Sequence, residues 1–469
     1  MFKQWGNWLS HRFGFDVVKR NVLDRRTPKG RWYYGDGATL TLLLGVQVAT
    51  GAVLMLTYNP SVDSAYQSVR YITEQQLLGR FIRSLHYWSA GLMVVMLFFH
   101  LFRQLLLGGY KSPREGTWLL GVGLFVGVLV MAFTGYTLRW DERAIHSIMV
   151  PMHMVANVPL IGESLVVFIQ GGPEVGPRTL TRLYAVHVFW TPLYLFTLVA
   201  GHLFLVIHHG VTTNAERREP VTSAEHQRKL YDAEKHDERE GEQFHPGTTF
   251  RSGLFATVVF LIVLGLAVFV GPPSLYPEAN RELRSFPVEE WWFWWYSALI
   301  ALLPGWLAPT FVVVFPLLLL AALVALPFVD RSPYRGIKRR PVMACVVVFS
   351  VIALVWLSAL RVYSPWTGWP QPEPPAVPMG VTLPADAERG RQLFGQYGCN
   401  SCHAVAGDGP RIGPDLARIG RTYSRAEFAN WILNPAEDVA MPSYEGRLDD
   451  EELEQIIDYL MNARTFPRR

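Results

Sequence analysis

The chain has 469 residues, of which 50% are hydrophobic and 17% are charged, and its formal net charge is +4. This composition, with a mean hydropathy of +0.16, is typical of a membrane protein that also carries a soluble portion. The small net charge gives no indication of a nucleic-acid partner, and three cysteines are too few for a disulfide framework.

Seven apolar segments are long enough to cross about 30 Å of hydrocarbon. In chain order we place them at residues 38–58, 84–107, 117–138, 183–208, 254–270, 307–329 and 342–360. A further run, residues 291–303, is aromatic and ends before a proline, so we expect an interfacial helix there and not a span.

The basic residues predict the orientation of these spans. Residues 3–31 and 331–340 are both rich in lysine and arginine, and the positive-inside rule assigns both segments to the cytoplasm. Seven spans that begin inside must end outside, so the region after the seventh span is expected on the extracytoplasmic side. We therefore expect a multi-pass protein of a bacterial cytoplasmic membrane with a cytoplasmic N-terminus.

The second and fourth spans each contain two histidines, His86 and His100 in one and His187 and His202 in the other. Spacings of fourteen and fifteen residues return the second imidazole to nearly the same helix face, roughly 21–23 Å further along the axis. A single histidine on an apolar helix is usually a core residue, but four ionisable side chains inside two spans are costly and indicate a site. Bis-imidazole ligation of two haems is the simplest account that uses all four.

The topology also sorts the histidines into two pairs. His86 and His187 each lie near the outer end of a span, so they are expected to share an outer haem. His100 and His202 are then expected to share an inner haem. Electrons could cross the membrane between the two.

Two pairs of glycines repeat the histidine spacing, Gly37 and Gly51 at the first span and Gly121 and Gly135 in the third. Glycine allows a macrocycle to approach a helix backbone closely. Small residues can also simply tighten helix packing, but two pairs in register with two ligand pairs favour two haems stacked along the bundle.

The last part of the chain predicts a second haem-binding unit. A proline-rich segment, residues 363–385, is typical of a semi-rigid linker, and residues 386–469 are expected to form a small soluble domain. Cys399, Cys402 and His403 form the Cys-x-x-Cys-His attachment signature of c-type haem. Met441 is the expected sixth ligand, although it could be a packing residue, and Met461 is a poorer candidate.

Several stretches closely resemble cytochrome b of the Rieske/cytochrome b complexes. They are Arg-Ser-Leu-His at 83–86, Thr-Gly-Tyr at 134–136, Thr-Leu-Thr-Arg-Leu-Tyr at 179–184 followed by His187, and Gly-His at 201–202. The gap between His187 and His202 resembles the chloroplast and cyanobacterial cytochrome bf type. The resemblance includes the three-helix portion that is a separate subunit in the chloroplast complex, and the soluble domain resembles a class I cytochrome c.

This resemblance implies an all-α fold, a seven-span transmembrane di-haem helical bundle followed by a small α-helical class I cytochrome c domain. The expected divisions are a four-helix di-haem domain at 1–211, a three-helix domain at 212–362, the linker at 363–385 and the cytochrome c domain at 386–469. The implied cofactors are two haem b groups and one covalent haem c. The segment before the first span has no cysteine, so a further covalent haem is not expected.

The segment 286–293 resembles the family's Pro-Glu-Trp-Tyr loop of the quinol site. In this register Glu290 takes the place of the glutamate and is the expected proton acceptor, Trp291 takes that of the tryptophan, and Glu289 stands where the family has proline. Tyr136 is expected to line the same pocket. Taken without the resemblance, the segment is better explained as an ordinary interfacial aromatic belt with solvated acids. Arg139 is a departure, because the family has a proline there.

The function implied is that of the cytochrome b–cytochrome c fusion subunit of a quinol:cytochrome c oxidoreductase, with bifurcated electron transfer coupled to proton translocation. The expected partners are a Rieske iron–sulfur protein, membrane quinol, and a cytochrome c or other terminal acceptor, in a homodimeric complex. An alternative is a di-haem membrane anchor that relays electrons from a peripheral dehydrogenase to cytochrome c without a quinol-oxidation site. A non-redox channel is a remoter alternative.

Overall fold

The computed structural model describes residues 2–156, 158, 160–211, 220–276, 278, 290–304, 307–363, 374–408, 413–419, 421–436, 441 and 443–467. Seven of its helices are long and apolar enough to cross a membrane, as predicted. They span Trp32–Met55, Gly79–Leu107, Glu115–Thr137, Pro177–His209, Phe244–Val270, Thr310–Val329 and Pro341–Val362.

The first span begins earlier than the sequence predicts. A 3₁₀ turn over Trp32–Gly35 leads directly into the α-helix Asp36–Met55, whereas residue 38 was the expected start. Asp36 comes before the expected start, yet its carboxylate is fully buried and pairs with Arg103 of the second span. A charge is tolerated inside a helical bundle when a partner of opposite sign is present.

Two spans contain π-helical turns. The fourth combines the α-helices Pro177–Ala185 and Thr191–His209 around a π-helical turn at Val186–Trp190. The fifth continues from the α-helix Thr249–Gly265 into a π-helical turn at Leu266–Val270, and the chain is kinked at His245 before the α-helix. Such turns are frequent at functional positions, and the turn in the fourth span contains His187.

Shorter helices connect the spans. In the membrane part they are Phe2–Phe13, Phe15–Val18, Ala65–Glu74, Glu142–Ala156, Gly162–Gln170, Ala224–His236 and Trp294–Ala301. Two short antiparallel strands, Arg26–Pro28 and Gly241–Gln243, join the N-terminal segment to the loop before the fifth span. The eight-residue helix Trp294–Ala301 is too short to cross a bilayer, as expected for the run 291–303.

The C-terminal unit has its own helices and core. Its helices are Ala385–Gln396, Leu416–Ile419, Arg425–Leu433 and Asp450–Ala463. The first and last pack together around Leu393, Phe394, Ile456 and Ile457. Gly390 makes this close crossing possible, because a Cβ there would lie 1.8 Å from a backbone oxygen of the last helix. The predicted start of the unit, residue 386, falls at this first helix, and residues 364–373 of the predicted linker lie outside the described residues.

Candidate electron-transfer site

The four histidines lie in two pairs, as their spacing predicts. The ring centroids of His86 and His187 are 6.4 Å apart, and those of His100 and His202 are 6.5 Å apart. Two metal–imidazole bonds of about 2 Å each, on opposite sides of one iron atom, place ring centroids roughly 6 Å apart. Both pairs therefore have the separation that axial ligation of a haem iron requires.

Hydrogen bonds fix the ring orientation in the outer pair. Nδ1 of His86 lies 2.8 Å from the Thr50 hydroxyl, and Nδ1 of His187 lies 3.0 Å from the Thr134 hydroxyl. Each hydroxyl already donates its proton to a carbonyl one turn earlier in its own helix, so it must accept from the imidazole. The proton of each ring is thus held on Nδ1, and the lone pair of Nε2 is available to a metal.

The inner pair reaches the same result with different acceptors. His202 Nδ1 donates to the backbone carbonyl of Thr117 at 2.9 Å, and His100 Nδ1 donates to the Asp36 carboxylate at 3.0 Å. Asp36 also accepts a 2.7 Å hydrogen bond from Arg103 Nε. One inner histidine is therefore bound to a buried, charged acceptor, and its partner is bound to a neutral one.

Each of the predicted glycines faces one of the four histidines. A Cβ on Gly51 would lie 3.3 Å from His86, one on Gly121 would lie 3.3 Å from His202, one on Gly135 would lie 2.8 Å from His187, and one on Gly37 would lie 3.9 Å from His100. At these four positions the first and third spans therefore present backbone without a side chain next to an imidazole. That this space accommodates a macrocycle stays a prediction.

Sequence reasoning missed the residues that hold the histidines. Asp36, Thr50 and Thr134 each come directly before one of the glycines. A polar residue followed by glycine, repeated at the histidine spacing inside apolar spans, was a usable signal. The carbonyl of Thr117 carried no such signal, since every residue has one.

The donor set suits a porphyrin better than a bare metal ion. Among the residues that the structure describes, no three His, Cys, Asp or Glu side chains are grouped so that they could hold a metal ion. Two imidazoles on opposite sides are sufficient for an iron whose other four positions are filled by porphyrin nitrogens. The residues present therefore fit haem b in both positions.

A buried carboxylate lies next to the outer pair. Glu290 is only 2% exposed, and it accepts a 2.9 Å hydrogen bond from the hydroxyl of Tyr87, the residue after His86. Arg139 Nη2 lies 3.2 Å from its other oxygen. The solvated-acid alternative is wrong for Glu290, whereas Glu289 and residues 286–288 lie outside the described residues.

Aromatic rings form one wall beside this carboxylate. Trp291 and Trp292 pack against the second span at Gly91, where a Cβ would lie 2.6 Å from Trp291. The ring of Trp292 lies 5.7 Å from that of Tyr87. Tyr136 is buried near the C-terminal end of the third span, one helical turn before Arg139. Its place in the pocket stays a prediction.

Arg139 has two acidic neighbours. Its side chain is 8% exposed, and Nε lies 3.5 Å from Asp141. Burial opposes the charge of the guanidinium, but Asp141 and Glu290 together raise the pKa of Arg139 above its ordinary value. It therefore remains a cation beside Glu290 at every pH that a cell experiences.

The C-terminal unit brings its predicted haem residues into one region. Cys399 begins a 3₁₀ turn, and His403 Nδ1 donates to the carbonyl of Pro414 at 2.9 Å, which leaves Nε2 available. Gly413 makes room for this ring, because a Cβ there would lie 2.5 Å from it. Met441 and Cys399 both pack against the core of the unit. The donor set fits a covalent haem, and axial ligation by Met441 stays a prediction.

The two thiols of the signature are buried. Burial raises the pKa of Cys399 to about 12 and that of Cys402 to about 11. Burial lowers the pKa of His403. All three groups are therefore uncharged at neutral pH, and the neutral imidazole of His403 has a ring nitrogen available to a metal.

Comparisons with known proteins agree with this arrangement. The family model "Cytochrome b/b6/petB" matches residues 24–210, and the model "Cytochrome C oxidase, cbb3-type, subunit III" matches residues 385–460. The chain is 31% identical over 371 residues to cytochrome b of Allochromatium vinosum, an alignment that covers 75% of this chain and 87% of the relative. It is 32% identical to the menaquinol:cytochrome c reductase cytochrome b subunit of Geobacillus thermodenitrificans, over 45% of this chain and 99% of that subunit.

A solved structure described as a hyperthermophilic respiratory Complex III is also similar. It superposes with a TM-score of 0.68 at 26% identity, and the match covers 77% of this chain and 92% of that one. The sequence similarity, the seven spans and the paired histidines all lead to one conclusion: this chain belongs to the cytochrome b family and carries a c-type cytochrome domain fused behind its membrane-spanning part.

Proposed function

We propose that this chain is the cytochrome b–cytochrome c fusion subunit of a quinol:cytochrome c oxidoreductase that oxidises membrane quinol at the outer face. The observation that carries the proposal is the hydrogen bond between Tyr87 and Glu290. It joins a buried carboxylate to the residue next to His86, so a proton acceptor and an electron acceptor would be available to one bound quinol. The similarity to a menaquinol:cytochrome c reductase subunit supports the same class of substrate.

The haem ligands follow from the site geometry. His86 and His187 would hold the outer haem b, and His100 and His202 would hold the inner one. The bound haems would supply one-electron transfer across the membrane. The protein's part is to hold each imidazole by Nδ1, to leave space opposite it by means of glycine, and to exclude water with the surrounding apolar side chains.

The c-type haem would be attached through Cys399 and Cys402, with His403 and Met441 as axial ligands. A methionine ligand raises the reduction potential, which suits a domain that receives electrons. The chain has only three cysteines, and two of them would attach the haem, which leaves too few ligands for an iron–sulfur cluster. The electron that does not enter the haem b pair would therefore go to a separate Rieske iron–sulfur protein and from there to this domain. A purified complex that is fully active without an iron–sulfur centre would contradict this.

Glu290 performs the proton chemistry. Its carboxylate is buried and held by Tyr87. General base catalysis by a positioned carboxylate typically contributes about 100-fold or more to a rate. Protons taken up here would leave on the outer side, so quinol oxidation would be coupled to proton translocation. The predicted cytoplasmic N-terminus, extracytoplasmic cytochrome c domain, terminal acceptor and homodimer belong to the same proposal.

The substitution Glu290→Gln tests the quinol site. We expect quinol-dependent reduction of cytochrome c by the purified complex to fall about 100-fold or more, while the haem spectrum stays unchanged. Glu278→Gln is the matched control, because Glu278 is an exposed glutamate near the same face that pairs with Gln67. Its rate should stay within twofold of that of the unmodified complex.

The relay alternative gives the opposite outcome. If Glu290→Gln leaves quinol oxidation intact and inhibitors of the outer site have no effect, the di-haem bundle acts only as an electron-conducting anchor. An anchor that only conducts electrons needs no buried carboxylate. The burial of Glu290 therefore does not favour that alternative.

A further inference from the structure

A cavity of about 430 Å³ lies at the end of the bundle where the second and sixth spans end and the third begins. Its volume is within the range that is usual for ligand sites. The walls come from three segments, residues 111–115, 221–224 and 327–335. The first belongs to the four-span part (first to fourth spans) and the last to the three-span part (fifth to seventh spans), so the cavity lies between the two parts.

The charges around the cavity favour an anion. Three cations and two carboxylates line it, namely Lys111, Arg331 and Arg335, and Glu115 and Asp330. Asp330 is already paired with Lys111 at 2.6 Å and with Arg340 at 3.1 Å. With Arg340 included, four cations stand against two carboxylates. The excess of positive charge attracts a negatively charged ligand.

Two of the cations are fixed by the protein itself. Lys111 is 5% exposed, and its Nζ donates to the backbone carbonyls of Asp330 at 3.1 Å and Ser332 at 2.8 Å. Arg335 is 7% exposed and donates to the carbonyl of Ser112. These bonds hold the segments of the wall together, so the cavity is formed before a ligand binds. Arg331, by contrast, is exposed, and its guanidinium can move to contact a ligand.

Uncharged donors complete the lining. The hydroxyl oxygen of Ser223 accepts a hydrogen bond from the backbone N–H of His226, and that of Ser332 accepts one from the N–H of Tyr334. The hydroxyl protons therefore remain available to a ligand. Ser223 also caps the helix Ala224–His236, whose N-terminus adds partial positive charge at the wall. Guanidinium, hydroxyl and helix N-terminus are all groups that bind phosphate oxygens.

We propose that this cavity binds a phosphate-bearing anion, with Arg331 in direct contact and with Lys111 and Arg335 as fixed charges. The headgroup of an acidic phospholipid and free inorganic phosphate share this chemistry. The cavity lies where the spans end, which is the level of lipid headgroups, and Pro327 of the sixth span is part of its wall. Because the walls belong to both parts of the bundle, a bound anion would stabilise the contact between them.

Retention of phosphatidylglycerol by the purified full-length protein tests the proposal. The protein is transferred from nanodiscs of phosphatidylglycerol and phosphatidylcholine into neutral detergent, and mass spectrometry measures the lipid that stays bound. We expect phosphatidylglycerol to be retained preferentially, and Arg331→Gln to lower its affinity about fivefold. Arg339→Gln is the matched control, because it removes the same charge from the same loop, but Arg339 lies over the ring of Tyr334 and not in the wall. Its retention should be unchanged.

A second variant tests the cavity without changing its charge. Ser332 is exposed at the wall, so Ser332→Trp should fill the space and also lower retention. Titration of the lipid-depleted protein with inorganic phosphate, followed by thermal unfolding, distinguishes the two sources. If phosphate raises the Tm of the unmodified protein but not that of either wall variant, while lipid retention is the same in all three, free phosphate is the ligand.

The proposal is overturned if neither ligand distinguishes the unmodified protein from Arg331→Gln and Ser332→Trp. It is also overturned if Arg339→Gln weakens binding as much as Arg331→Gln does, since the loop would then attract anions only as a charged surface.

Discussion

A hydrogen bond to Nδ1 decides what an imidazole can do at its other nitrogen. In this protein Nδ1 of each of the four histidines of the bundle donates a hydrogen bond to an acceptor on a neighbouring helix. Three of these acceptors are neutral, and the fourth, that of His100, is the buried carboxylate of Asp36. A charged acceptor makes an imidazole more basic and stabilises the ferric form of an iron bound to it. The two histidine pairs are therefore chemically different, although the separation of their rings is nearly the same.

We predict that Asp36→Asn raises the reduction potential of the inner haem by about 60 mV, which corresponds to a tenfold change in the relative stability of its two oxidation states. The asparagine keeps the shape of the side chain but accepts a weaker hydrogen bond from His100. A redox titration followed by optical spectroscopy measures the shift.

Thr50→Val provides the comparison for this titration. It removes the acceptor of His86 in the outer pair, so it should change the outer potential and leave the inner one unaltered. Equal shifts of both potentials in Asp36→Asn would mean that the charge acts at long range, not through His100.

At the scale of the elements, each ligand helix is matched by a helix that presents glycine. The second span faces the first at two glycines, and the fourth faces the third at two more. Alanine normally stabilises a helix relative to glycine by about 1 kcal/mol. The four glycines therefore lower the stability of their helices. Their role is to leave free the space that a side chain would occupy beside each histidine.

The substitution Gly135→Ala is expected to reduce occupancy of the outer haem and to leave the inner haem in place. The added Cβ would lie 2.8 Å from His187, whose ring is also held by Thr134 and could not move without losing that hydrogen bond. Haem extraction and difference spectra of the purified protein measure the loss.

Gly45→Ala is the control for this effect. Gly45 lies in the first span with nothing within 4 Å of an added Cβ, so its haem content should equal that of the unmodified protein. Full haem occupancy in Gly135→Ala would contradict the role assigned to the glycine.

At the scale of the whole molecule, an ionic cluster joins the four-span part to the three-span part. Asp330, after the sixth span, pairs with Lys111 at 2.6 Å and with Arg340 at 3.1 Å, and it accepts a hydrogen bond from Tyr110. Lys111 and Tyr110 lie between the second and third spans. Burial opposes ionisation of Asp330, but the hydrogen bonds from Lys111 and Tyr110 outweigh it and lower its pKa.

This cluster predicts a definite pH dependence of stability. Because the pKa of Asp330 is lowered in the folded state, its contribution is fully present above the unfolded value of about 3.9 and is lost as the pH falls through the folded value. Asp330→Asn leaves two buried cations without their counter-charge and should cost about 3 kcal/mol at neutral pH. Thermal unfolding in detergent at a series of pH values measures this.

The exposed pair of Arg70 and Glu74 gives a matched comparison. Glu74→Gln should change the free energy of unfolding by less than about 1 kcal/mol. A difference between Asp330→Asn and the unmodified protein that persists unchanged below pH 3 would show that the ionised carboxylate is not its origin.

The sequence by itself determined the seven spans, the two histidine pairs and the haem c signature. Hydropathy over about 20 residues reports membrane insertion, and helical periodicity places histidines fourteen or fifteen residues apart on one face. Both are local properties of the chain. For the same reason the four glycines could be predicted, since they repeat the histidine spacing.

Only the tertiary structure decided which groups bind the four histidines, which cation faces Glu290, and where the first span begins. Asp36, for example, is buried within the first span because its partners His100 and Arg103 come from a different helix. Arg139 and Glu290 belong to loops on opposite sides of the fourth and fifth spans in the sequence. Contacts between distant segments depend on how helices pack, and no local pattern of residues encodes them.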